Sequence, residues 1–143
     1  MKRLIIEQSD DEFYTSHSGL ALAGACINRH SDLGRQVGRL SRGGGQIADI
    51  DILRSYLGLL CLGKSDFQAI TGMRDDDFFQ QALGIGRVPS TERLRQRLDE
   101  AAADGLIPLV FRSSQSMLKQ LGVKVSGYAD GLVPLDVDVF PQD

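Results

Sequence analysis

The chain has 143 residues, 42% of them apolar and 24% charged, with a formal net charge of −3. That composition suits one soluble globular domain, or one domain plus part of another, and does not describe a protein coated in positive charge for nucleic acid. No apolar run is long enough to span a membrane, and the one in Met1–Glu7 is too short for a signal peptide, so the expected compartment is the cytoplasm.

Charge is partly segregated along the chain. Acids concentrate at Asp10–Glu12, Asp75–Asp77 and Asp136, Asp138 and Asp143, whereas Arg87 to Arg97 holds four arginines against one glutamate. Cys26 and Cys61 lie far apart in apolar contexts and are expected as buried, reduced thiols, with no Cys/His spacing that suits zinc.

In chain order, residues 3–8 suggest a short strand. Thr15–Ser18 offers an N-cap, and Gly19–Asn28 reads as a buried helix. Asn28 to Gln46 is rich in Gly, Arg and Ser and reads as irregular, with Gly43–Gly45 as a flexible turn. Asp49 or Asp51 is placed to cap a helix running to Leu62. That helix is apolar on several faces, as a central core helix would be, and Gly63 follows it as a C-terminal cap. Ser65 is placed to cap a short helix through Ile70. Asp75–Asp77 lead the next helix, which includes Phe78 and Phe79, with their charges at the favourable end of its dipole. Gly84, Gly86 and Pro89 break the chain before a helix from Glu92 to about Ala103, opened by Ser90 and Thr91. Another helix is expected over Pro108–Gln120 and a loop over Lys124–Gly131. Val133–Phe140 alternates and reads as a strand. The fold class is therefore mainly α.

Three patterns carry chemistry. On a helical wheel Leu94, Leu98 and Ala101 form one stripe, while Arg93, Gln96, Arg97 and Glu100 share the adjoining face. Arginine pairs bidentately with guanine in the major groove and glutamine with adenine, so this face suits DNA. The preceding helix, the glycine-containing connector and Ser90 resemble a helix-turn-helix with a long turn; the bland alternative is a solvated helix face. In the strand, Asp136 and Asp138 share one face, ~6–7 Å apart. Such carboxylates suit Mg²⁺ or Mn²⁺, although one strand supplies too few ligands, and a solvated acidic face is the alternative. Thirdly, Gly58–Ser65 (GLLCLGKS) matches the phosphate-loop pattern, but its Leu-Leu-Cys-Leu interior continues a helical apolar pattern, which makes a nucleotide hydrolase the weaker reading.

Taken together and in order, Thr15–Leu20 (TSHSGL), Asp51–Phe67 (DILRSYLGLLCLGKSDF), Asp77–Ser90 (DFFQQALGIGRVPS), Leu94–Asp99 (LRQRLD) and Pro134–Asp143 (PLDVDVFPQD) resemble the DDE transposases of bacterial insertion sequences. The resemblance implies a helical DNA-binding region, residues 1–120, followed at 121–143 by the first β-strand of a ribonuclease-H-like catalytic domain. Under it, Arg87, Arg93, Gln96 and Arg97 are the candidate DNA contacts and the terminal inverted repeats the DNA. Asp138 or Asp136 would be the first metal-binding and catalytic member of the Asp-Asp-Glu triad, with Asp138 favoured by analogy. The family's cofactor is Mg²⁺ or Mn²⁺. The second aspartate and the glutamate match nothing in this sequence, so the expectation is a truncated chain, inactive alone and holding no metal stably. A non-enzymatic regulator that occupies the ends, or pairs with itself or with intact transposase, is the alternative.

Overall fold

Helical periodicity accounts for the regular structure of the described residues. The computed structural model describes residues 10, 14–40, 47–124, 126–129 and 131–133. Among them are six α-helices: α1 Leu20–His30, α2 Leu33–Leu40, α3 Asp49–Cys61, α4 Asp77–Leu83, α5 Thr91–Ala103 and α6 Leu106–Gln120. A 3₁₀ segment, Phe67–Met73, links α3 to α4. The described residues contain no strand, and none of their helices is long and apolar enough to cross a membrane. The strands expected at 3–8 and 133–140 lie outside the described residues, apart from Val133, which is not in a strand.

Helix α3 is the axis. It buries Ile52, Leu53, Ser55, Gly58 and Leu59 as well as Asp51, and it packs against α1, α2, α4, α5 and the 3₁₀ segment. Two apolar clusters form around it. The larger joins Leu20, Ile52, Leu59, Ile70, Met73, Phe79, Leu83, Ile85, Val88 and Leu94. The smaller joins Leu33, Val37, Leu53, Leu106 and Leu109, and it unites α2 and α6 with the other side of α3.

Helix α4 is held between α1 and α3 at two glycines. A Cβ on Gly24 would stand 1.8 Å from the carbonyl oxygen of Ala82, so α1 meets α4 backbone to backbone. A Cβ on Gly58 would stand 2.4 Å from Leu83 Cδ1 and 2.8 Å from the Phe79 ring. Both helices therefore need a residue without a side chain at these points.

Several local expectations are corrected. Residues 28–46 are not irregular throughout: α2 lies within them, because Leu33 and Val37, four residues apart, share a buried face against α3 and α6. The Ser31 hydroxyl accepts from Leu33 N at 3.3 Å, and Asp32 ties the start of the helix down. Asp32 accepts from Gln36 Nε2 at 2.9 Å and from the buried Ser113 hydroxyl on α6 at 2.8 Å. Those two bonds, Gln36 first, hold the Asp32 carboxyl below its ordinary range. Neither Asp49 nor Asp51 caps α3; the N-cap is Ala48, without a side-chain bond. Asp66, not Ser65, caps the 3₁₀ segment, accepting from Gln68 N at 2.9 Å. The N-cap of α1 is Gly19, again without a side-chain bond, while Thr15 Oγ1 accepts from His17 N.

Helix α1 is less buried than its apolar sequence suggests. Leu20 and Gly24 are buried, but Leu22 is 61% exposed. The cysteines are free and are not sealed in the core: Cys26 is half-buried and Cys61 exposed. The phosphate-loop reading fails outright. Gly58 to Cys61 are the last turn of α3, and Gly58 is packed against α4, so no anion cradle exists there.

Candidate nucleic-acid interface

Helix α5 begins where three local choices agree. Ser90 has extended backbone and its hydroxyl accepts from Arg93 N at 3.3 Å. Glu92 lies in the first turn, where its own backbone N–H and then the Ser90 hydroxyl hold its carboxyl below the usual range, with Arg95 and Arg74 adding to the effect. Leu94 is fully buried, and half-buried Leu98 and Ala101 extend the same stripe onto the apolar clusters. The stripe read from the sequence is therefore the packing face.

The adjoining face divides in two. Gln96 is exposed, and its Oε1 lies 3.4 Å from Nη1 of half-buried Arg93. Arg97 faces inward. Its guanidinium pairs with Asp49 on α3 and donates to Glu100 Oε2 at 3.0 Å. On this face the helix thus offers Gln96 and Arg93 outward, while Arg97 ties α5 to the first turn of α3 and exposed Arg95 lies on another face.

Arg87 is exposed on the connector between α4 and α5. Ile85, Val88 and Pro89 around it are buried, so the connector is pressed into the core and its polar residues face out. Gly84 closes α4 in the left-handed conformation, at φ 68°. The carbonyls at this helix end are met by side chains from two other helices: Asn28 Nδ2 donates to Leu83 O at 3.0 Å, and Arg54 Nη1 to Gly84 O at 2.6 Å. Asp51 Oδ2 then accepts from both Gly86 N, at 3.1 Å, and Arg87 N, at 3.2 Å. Asp51 is only 8% exposed, and these two N–H groups satisfy its Oδ2.

The helix-turn-helix comparison is loose in one respect. Helix α4 packs mainly on α1 and α3, and α5 mainly on the 3₁₀ segment, α3 and α6, so the two meet each other only marginally. The start of α5 instead adjoins the end of the 3₁₀ segment, where the Thr71 and Thr91 hydroxyls are 3.3 Å apart.

Asp136 and Asp138 lie outside the described residues. Among the described residues no group of three or more His, Cys, Asp or Glu is placed to hold a metal ion. His17 Nδ1 lies 3.4 Å from Asp76 Oδ2. The same Asp76 caps α4 by accepting from Phe79 N at 2.9 Å. Sequence reading missed the roles of Asp51, Arg54 and the Asp49–Arg97 pair, whose partners are 30 to 48 residues distant and share no local pattern. Comparison with protein-family models, curated proteins and solved structures finds no match to this chain.

Proposed function

We propose that this chain is the DNA-binding region of an insertion-sequence DDE transposase and that it binds transposon ends through the outward face of α5 and the connector before it. The observation that carries the reading is exposed Gln96 beside half-buried Arg93 on one face of a capped helix anchored by a buried stripe, with exposed Arg87 on the connector before it. Guanidinium groups neutralise phosphates, and an Arg–Gln pair on a helix suits base edges in the major groove. Arg97 belongs to the support of that helix, since DNA would have to displace Asp49 to reach it. On the family's pattern Asp138 and Asp136 would serve Mg²⁺ or Mn²⁺ in the catalytic domain, and DNA binding does not depend on them.

Fluorescence anisotropy on duplexes carrying the terminal inverted repeats tests the reading, with an unrelated duplex as reference. The expected result is tighter binding to the repeats and a log–log salt slope near −3, as for about three neutralised phosphates. Arg93→Ala with Gln96→Ala should bring repeat and reference affinities together. Equal affinity of the unaltered chain for both duplexes, or none for either, would remove the proposal.

A further inference from the structure

We infer that Asp51 is a positioning residue for DNA binding: its carboxylate, buried on α3, holds the Gly86–Arg87 backbone so that the Arg87 side chain is presented outward just before α5. The inference rests on the function proposed above and adds to it the device that orders one contact.

The connector from Gly84 to Pro89 is longer than a tight turn and contains two glycines, so left to itself it would sample many conformations. Two side chains one helical turn apart on α3 restrict it. Arg54 takes the carbonyl of Gly84 at 2.6 Å, and Asp51 takes the N–H groups of Gly86 and Arg87 at 3.1 and 3.2 Å. Buried Ile85, Val88 and Pro89 fix which way the remaining side chains face. An ion bonded to two backbone N–H groups makes strong, directional contacts. The entropy of ordering the Arg87 backbone is thereby lost on folding and need not be lost again when a phosphate arrives. Asp51 contributes no atom to the DNA contact itself; removing it should act only through Arg87.

A thermodynamic cycle on the full chain tests this, with anisotropy on the inverted-repeat duplex as the readout. Arg87→Ala and Asp51→Ala should each weaken binding about 3- to 10-fold and each lower the salt slope by about one. The double variant should be no weaker than Arg87→Ala alone, and its slope no lower. If the two losses multiply, or if Asp51→Ala binds as the unaltered chain does while Arg87→Ala does not, Asp51 does not position Arg87. Asp51→Asn, which keeps the shape and one acceptor, replaces Asp51→Ala should the latter fail to fold, and it should give an intermediate loss. Amide exchange separates this inference from the one beneath it. The Gly86 and Arg87 N–H groups should exchange faster in Asp51→Asn even if no duplex binds, whereas unchanged exchange there would overturn the inference by itself.

Discussion

The cluster around α3 and α4 and the cluster around α2 and α6 both bury leucine and β-branched side chains, yet they are closed by different means. The first is sealed. Phe79, Leu59, Leu83, Ile70 and Leu94 are wholly buried, and glycines at 24 and 58 let three helices approach closely. The second is smaller, its residues 3–8% exposed, and the face of α6 turned away from it leaves Ile107, Phe111 and Leu118 exposed. A polar tie, Ser113 and Gln36 onto Asp32, adds to its apolar packing. The candidate DNA-binding face is mounted on the sealed side, through Leu94 and the pinned connector. The proposed reading helix is thus anchored in the more fully buried of the two clusters.

The contrast can be broken by substitution, and the largest effect belongs to the sealed cluster. Gly24→Val forces a side chain into the Ala82 carbonyl and should abolish cooperative folding, visible as loss of a sharp thermal transition by circular dichroism. Phe79→Ala should cost about 3–5 kcal/mol in chemical unfolding, while Leu109→Ala, in the smaller cluster, should fall near ~2 kcal/mol because it removes fewer buried atoms. Equal costs would show that the two clusters do not differ as described. Ser113→Ala should cost about 1 kcal/mol at neutral pH. Its effect should depend on pH in one direction. The folded-state pKa of Asp32 is depressed, so the stabilisation is fully present above the unfolded value of about 3.9 and is lost as pH falls through the folded value. The difference between the two proteins should therefore begin to shrink below about pH 4 and vanish once the pH has fallen below the folded value. The smallest effect is expected at Phe111→Ser, within about 0.5 kcal/mol, because that ring is 64% exposed.

Most helices were legible in the sequence because their signals are local. Ser90 and Asp75–Asp77 sit at helix starts, Gly63 and Gly84 just past helix ends, and Leu94–Leu98–Ala101 recurs at helical spacing. Helix α2 was hidden because its two glycines and two arginines outweigh Leu33 and Val37 until α3 and α6 are there to cover them. The candidate site was half legible. Wheel geometry places Arg93, Gln96 and Arg97 side by side, but only the fold reveals that Asp49 claims Arg97. Likewise Asp51 looked like a helix cap, since a carboxylate at a helix start ordinarily bonds its own helix, and nothing near it signals a partner at Gly86.

The meeting of Gly24 with Ala82 has a mechanical corollary. Where main chain rests on main chain, no rotamer change can absorb a shift, so α1 and α4 should travel as one lever. Slow amide exchange in these two helices should then share a single opening free energy, with breathing motions relegated to α2 and the outer turns of α6.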